Sequence, residues 1–181
     1  THRAAENLWN FYEYQMHVLR TLNADPHPGN FLFRPDGTVG VLDFGCTKKL
    51  SDELYVDYFS MAERGLFEDK EKAIQVLTKL SILRETDSPE RIDQLLDLFE
   101  RLINNIAEPY HTGHFKFNND EFYADMTEIS MELSKLREVR GSREFLFINR
   151  TYYGLYALFR ELKAELNTTC KYLDFKVLTA E

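Results

Sequence analysis

The sequence predicts a mostly helical α+β fold with one small β-hairpin near its N-terminal end. Apolar residues recur at the helical spacing of three and four over most of the 181 residues. Two short apolar runs, 31–33 and 39–44, are instead separated by the turn-forming sequence RPDGT. We therefore expect one domain, in which 1–50 form a helix, a loop and the hairpin, and 51–181 form a helical body.

The first helix is expected over residues 3–22, which place apolar side chains on one face. It should end at the segment NADPHPG, because two prolines and a glycine cannot continue a helix. Five further helices are predicted around the apolar positions 54–62, 73–80, 92–106, 122–136 and 145–166. The segment 109–120, PYHTGHFKFNND, is predicted to be a loop.

Charge and composition limit the classes of partner. The net charge is −8, and the whole acidic surplus lies after residue 50. Such a surface repels nucleic acid, so we expect no nucleic-acid partner. No apolar run is long enough to span a bilayer. Cys46 and Cys170 are predicted to be reduced intracellular thiols, although one pair of cysteines leaves a disulfide open.

Three oxygen-bearing side chains lie at fixed places around the predicted hairpin. Asp25 is in the loop before the first strand, Asn30 directly precedes that strand, and Asp43 lies in the second. Because the second strand folds back beside the first, we expect these side chains to converge at one edge. An amide and a carboxylate there are suitable ligands for Mg²⁺. A second carboxylate could orient a nucleophile or accept its proton.

The order of these residues is typical of kinase-type phosphoryl-transfer sites. Asn30 follows Asp25 by five positions, as in H-R-D-L-x-x-x-N, and residues 43–45 read D-F-G. The alternative is that each residue only stabilises a turn or a strand end, which Asp and Asn often do. Because all three residues occur together in the kinase order, the sequence favours a phosphoryl-transfer site over three unrelated turn residues.

The stretch ADPHPGNFLF…VLDFGCTKKL strongly resembles the UbiB/ADCK family of atypical kinase-like proteins. Residues 145–167 resemble the closing helix of that family, and DFGCTKKL resembles its coenzyme-Q-biosynthesis branch. The resemblance implies the C-terminal lobe of a protein-kinase-like fold, in which the hairpin carries the catalytic and DFG loops. It implies that Asp25 is the catalytic-loop acid, and that Asn30 and Asp43 bind Mg²⁺ and ATP. Asn23 departs from the pattern, because many bacterial members have His there.

The resemblance also implies a role in quinone or isoprenoid-lipid metabolism, inside the cell and peripheral to a membrane. A quinone precursor or an isoprenoid lipid is then an expected partner. The phosphate-covering loop, the strand Lys and the K-x-G-Q motif of the N-terminal lobe are absent from the sequence. We therefore expect a C-terminal lobe cut from a longer parent, and little or no activity from the lobe alone. The short link 45–51 leaves no room for a peptide-docking activation segment.

Two other functions stay open at this point. A small-molecule phosphotransferase of the aminoglycoside or choline kinase type also has a short catalytic loop followed by an aspartate. A helical binding module with a non-catalytic site is the second, and Tyr152, Tyr153 and Tyr156 are candidates for its lipid or partner surface. His27 is interpreted as a loop-shaping residue, and Cys46 as a small packing residue.

Overall fold

The computed structural model describes residues 2–173, and within them it has six α-helices and six short strands. The helices are α1 (His2–His17), α2 (Asp52–Ser60), α3 (Lys70–Lys79), α4 (Pro89–Thr112), α5 (Asp120–Lys135) and α6 (Arg143–Glu161). The strands are β1 (Thr21–Asn23), β2 (Phe31–Phe33), β3 (Val39–Val41), β4 (Thr47–Lys49), β5 (His114–Lys116) and β6 (Glu165–Asn167). They form three antiparallel pairs, β1–β4, β2–β3 and β5–β6. The predicted mostly helical α+β class is confirmed.

The described chain divides into two compact units. The first contains residues 2–51, 109–119 and 147–173, and the second contains 52–108 and 120–146. All three residues of the predicted site belong to the first unit.

An aromatic cluster around Trp9 forms the core of the first unit. The Trp9 ring lies 5.2 Å from Tyr110 and 6.1 Å from Phe159, measured between ring centroids. Phe117 completes the cluster at 6.3 Å from Trp9 and 4.9 Å from Phe159. Tilted aromatic pairs at these distances add to the stabilisation from burial alone. Because Trp9 belongs to α1, this cluster fixes the helix that leads into the predicted catalytic loop.

Helix α1 ends five residues earlier than the sequence predicts. The amides of Val18 and Leu19 both donate to the Tyr14 carbonyl, and Arg20 then adopts a left-handed φ of 51°. The next three residues form β1, in which Leu22 is opposite Lys48 of β4. The prediction of a helix over 3–22 is therefore wrong at its end. Leu22 is fully buried as the helical pattern indicated, but it is buried from a strand.

The hairpin pairs β2 with β3 as the sequence predicts, but β3 ends at Val41, three residues before the predicted strand end at 44, so Asp43 lies beyond the strand. Phe31 is opposite Val41 and Phe33 is opposite Val39. The turn needs a glycine, because Gly37 has a φ of 88°. The side-chain amide of Asn7 donates to the Gly37 carbonyl at 2.9 Å, which ties the turn to α1.

The prediction of a loop over 109–120 is wrong. Helix α4 continues to Thr112, and strand β5 follows it. The Pro109 carbonyl in the last turn of α4 accepts hydrogen bonds from the hydroxyls of Thr112 and Thr168. The predicted last helix is also too long, because Leu166 lies in β6 opposite Phe115. Both of these side chains are buried. A buried strand therefore accounts for the apolar residue that had indicated a longer helix.

The second unit contains a buried ion pair. Arg140 donates to both carboxylate oxygens of Asp87, at 2.7 and 2.9 Å, and the side chains are only 5% and 6% exposed. Arg140 also donates to Glu138 at 2.6 Å. The hydrogen bonds from Arg140 hold the pKa of Asp87 below its ordinary value, although burial alone would raise it. The carboxylate is therefore charged and fully engaged at neutral pH.

None of the helices within residues 2–173 combines the length and the apolar character that a bilayer crossing requires.

Replacing Asp87 by Ala should lower the free energy of unfolding by about 3 kcal/mol, because the change leaves a buried guanidinium short of a partner. The matched control is Asp93→Ala, which removes an exposed pair with Lys70 whose side chains are 61% and 62% exposed. That change should cost about 0–1 kcal/mol. Urea denaturation of the two variants measures the difference, and equal losses would show that the buried pair is not specially stabilising.

Candidate functional site

The loop 24–30 between β1 and β2 carries the first two predicted site residues. Its end is a short 3-10 helix, Pro28–Asn30, and the His27 ring nitrogen Nδ1 accepts a hydrogen bond from the Gly29 amide at 3.1 Å. The Asn30 amide donates to the His27 carbonyl at 2.9 Å. His27 thus caps the turn, as the sequence predicts for a loop-shaping residue.

The structure brings Asp25 and Asn30 together. The Asn30 side-chain amide donates to the Asp25 carboxylate at 2.9 Å and to the Asp25 carbonyl at 3.0 Å. Both contacts use Nδ2, so within the described residues the Asn30 carbonyl oxygen Oδ1 accepts no hydrogen bond. The oxygen that could bind a cation is therefore not engaged by the protein.

Asp43 lies two residues beyond β3, and its side chain contacts its own loop. The Leu42 amide donates to the Asn30 carbonyl at 2.9 Å, so Asp43 directly follows the residue that is paired with Asn30. The exposed Asp43 carboxylate accepts a hydrogen bond from the Gly45 amide at 2.7 Å. Within residues 2–173 no hydrogen bond joins the side chains of Asp43 and Asn30.

Asn23 links the two halves of the site, and sequence reasoning missed this role. Its side-chain amide donates to the Asp43 carbonyl at 2.9 Å, while its side-chain oxygen accepts from the Asp25 amide at 3.2 Å. The residue is only 1% exposed. A buried amide that serves both a donor and an acceptor holds the two loops in register. The signal in the sequence was the departure from the family pattern at this position.

Strand β4 holds the segment after the DFG. The Ala24 amide donates to the Cys46 carbonyl at 3.0 Å, and Asn23 is opposite Thr47 in the β1–β4 pair. Helix α2 begins at Asp52, three residues after this strand ends. Cys46 and Cys170 are both free thiols.

Tyr12 of α1 lies close enough to the loop to interact with Asp25 electrostatically. Its hydroxyl is buried and, within the described residues, makes no hydrogen bond. Burial first, and the Asp25 carboxylate second, raise the pKa of the Tyr12 phenol. The phenol therefore stays neutral and adds no charge near Asp25.

A cleft of about 570 Å³ opens beside Asp25. One wall is the loop, and the other is a face of α6 that combines the charged Arg150 and Glu161 with the apolar Ala157 and Leu158. At Gly154 the helix approaches the loop so closely that an added Cβ would lie 2.5 Å from Pro26 Cγ. The absence of a side chain at 154 therefore sets how near the loop lies to α6.

Apolar side chains on the hairpin are exposed next to Asp43. Leu32, Leu42 and Phe44 are 49%, 64% and 54% exposed. In contrast, Tyr152 and Tyr156 of α6 are only 2% and 0% exposed. The idea that these two tyrosines form a lipid or partner surface is therefore wrong, because they pack in the core of the first unit.

The donor set fits a hard divalent cation. Asn30 Oδ1 and the exposed Asp43 carboxylate are oxygen ligands of the kind that Mg²⁺ takes together with phosphate oxygens and water. The Asp25 carboxylate is held beside Asn30 by the hydrogen bond that it accepts from the Asn30 side chain. The site therefore offers two candidate metal ligands, Asn30 and Asp43, and a different residue, Asp25, as the candidate general base.

Residues 1–77 match the family model of the ABC1 atypical kinase-like domain. No curated protein matches the chain. The matched stretch contains α1, the loop 24–30, the hairpin and the DFG, and so includes Asp25, Asn30 and Asp43. The part of the chain that carries the candidate site is thus similar to an atypical kinase-like domain.

Proposed function

We propose that the chain is the C-terminal lobe of an atypical kinase or ATPase that binds Mg²⁺ and ATP. The observation that carries the proposal is the direct hydrogen bond between Asp25 and Asn30, five residues apart, in the loop whose backbone is linked through Asn23 to the DFG. The match of residues 1–77 to a kinase-like family model supports the same function.

Each site residue has a separate role in this proposal. Asn30 and Asp43 would hold Mg²⁺, which neutralises charge on the transferred phosphoryl group. Asp25 would orient the nucleophile and accept its proton. Its carboxylate accepts a hydrogen bond from Asn30, so the proposed base and the proposed metal ligand are held next to each other. The exposed Leu32 and Leu42 offer an apolar surface for a nucleotide base beside the metal ligands.

The cleft beside Asp25 suits a small acceptor better than a peptide. Between the DFG and α2 the chain has only β4 and a short link. The cleft wall supplies a guanidinium, Arg150, together with apolar Ala157 and Leu158. Such a wall fits an acceptor with a polar end and an apolar body. We propose on this basis, and from the resemblance of DFGCTKKL, that the longer protein supports quinone or isoprenoid-lipid metabolism at a membrane surface.

Asp43→Asn should abolish Mg²⁺-dependent binding of ATP, because an amide is a much poorer ligand for a hard cation. A thermal-shift titration of this chain and of the longer protein with Mg²⁺ and ATP measures it. A ligand at 100 times its Kd raises Tm by roughly 5–10 °C for a chain of this size. The control is Asp36→Asn, which changes an exposed Asp in the hairpin turn. Unchanged binding by Asp43→Asn would remove that residue from the metal site, and no binding by either wild-type protein would favour a non-catalytic binding module.

Asp25→Asn should leave nucleotide binding intact and lower turnover by roughly 10²–10⁴-fold, the usual contribution of a positioned general base. The asparagine can still accept the hydrogen bond from Asn30, so the loop geometry is retained. ATP hydrolysis or phosphotransfer by the longer protein gives the rate, and the same thermal-shift titration gives the binding. A loss of binding would instead identify Asp25 as a metal ligand.

Asn23→Ala should lower the free energy of unfolding by about 1–3 kcal/mol, because it leaves the Asp25 amide and the Asp43 carbonyl without their shared partner. It should also weaken Mg²⁺-dependent binding, because Asp43 is no longer tied to the loop. The control is Asn7→Ala, which removes one part-buried side-chain hydrogen bond to the Gly37 carbonyl. If both variants lose the same stability and both bind Mg²⁺ and ATP normally, then Asn23 does not position the site.

A further inference from the structure

A second group of ligand-type side chains lies in the first unit, outside the candidate kinase-like site. Glu13 and His17 lie one turn apart on α1, and Cys170 follows β6. One ligand atom from each of the three lies within 4.8 Å of the others. Two ligands spaced i and i+4 on one helix face, with a third from a distant segment, form a common arrangement in metal sites.

The cluster is buried. The side chains of His17 and Glu13 are 0% and 3% exposed, and their atoms Nε2 and Oε2 are 3.4 Å apart. Cys170 is half-buried, and the Tyr172 amide donates to its sulfur at 3.4 Å. Two of the three ligand-type side chains are therefore shielded from solvent, and the third is partly shielded.

Within residues 2–173, only one of the two carboxylate oxygens of Glu13 accepts a hydrogen bond. The Tyr110 hydroxyl donates to Oε1 at 2.6 Å, and Tyr110 is itself 2.8 Å from the Tyr152 hydroxyl. The other oxygen, Oε2, is inaccessible to solvent and has no hydrogen-bond partner within the described residues beyond the longer contact with His17 Nε2 at 3.4 Å. A buried carboxylate oxygen without such a partner is costly, and a bound cation would compensate it.

We propose that Glu13, His17 and Cys170 form a Zn²⁺ site that joins α1 to the segment after β6. Oxygen, nitrogen and sulfur ligands in one cluster favour a borderline-soft ion over Mg²⁺ or Ca²⁺. Tetrahedral zinc separates its ligand atoms by about 3.3–3.8 Å, and the Glu13 and His17 atoms already lie 3.4 Å apart. The fourth position is left for water or another ligand.

The neighbouring groups suit this role. The Tyr110 hydroxyl donates a hydrogen bond to the Glu13 carboxylate, as supporting residues do for the ligands of metal sites. Zinc binding would form the Cys170 thiolate and release the thiol proton to solvent. The site is independent of the proposed kinase-like function, because it uses none of the residues Asp25, Asn30 and Asp43.

Cobalt substitution of the full chain tests the proposal. Co²⁺ added to metal-free protein should bind one ion per chain and give a thiolate-to-cobalt charge-transfer band, which Zn²⁺ then displaces. Cys170→Ser should lose the band, whereas Cys46→Ser should keep it, and these are the only two cysteines of the chain. Glu13→Gln should weaken cobalt binding. Absence of the band in the wild-type protein, or its survival in Cys170→Ser, would overturn the site.

A measurement on the wild-type protein avoids variants that do not fold. Alkylation of the two thiols is followed by peptide mass spectrometry with and without Zn²⁺. At 100 times the zinc Kd, modification of Cys170 should slow by roughly 100-fold, because only the unoccupied fraction reacts. Cys46 should react at the same rate under both conditions. Equal rates for Cys170 with and without zinc would also overturn the proposal.

Discussion

The buried side chain of Asn23 is the contact on which the candidate site depends. It donates to the Asp43 carbonyl and accepts from the Asp25 amide, so the loop 24–30 and the DFG segment share one planar group. A planar amide has fixed donor and acceptor directions, and it therefore fixes distance and orientation together. The β1–β4 pair begins at the same residue and extends this alignment along the main chain.

Packing against α1 and α6 helps to determine where the loop 24–30 lies. The loop rests between α1 and α6, with Tyr12 on one side and the backbone of Gly154 on the other. Neither Tyr12 nor Gly154 adds a charge beside the loop, because the tyrosine stays neutral and the glycine has no side chain. The apolar core of the first unit thus determines where the loop lies, while the charged groups of the loop and the hairpin end remain available for ligands.

Local chemistry explains which parts of the fold and the site could be predicted. The hairpin was predictable because Pro35, Asp36 and Gly37 encode its turn within five residues. Asp25 and Asn30 were predictable because their contact depends on a fixed spacing in one loop. The roles of these residues in catalysis and metal binding stay predictions.

Long-range pairing explains what sequence reasoning missed. Strands β1 and β4 are three residues long, and their pairing is made by the main chain, which leaves no alternating pattern to read. Leu22 and Leu166 continue the apolar spacing of the helices that precede them. A single buried leucine is compatible with a helix or with a strand, so the spacing did not reveal the strands. Asn23 was noted only as a departure from the family pattern, and its partner Asp43 is 20 residues away in sequence. The approach of Cys170 to Glu13 spans almost the whole chain and could not be inferred from spacing.

The aromatic core of the first unit has an optical consequence. The chain has a single tryptophan, and Trp9 is 1% exposed with an indole N–H that has no hydrogen-bond partner within the described residues. Its emission should therefore be blue-shifted in the native state and move to the red when the cluster with Tyr110 and Phe159 opens. The second unit has no tryptophan, whereas far-UV circular dichroism follows the helices of both. Fluorescence and dichroism recorded on one sample thus distinguish cooperative unfolding of the chain from separate unfolding of its two units.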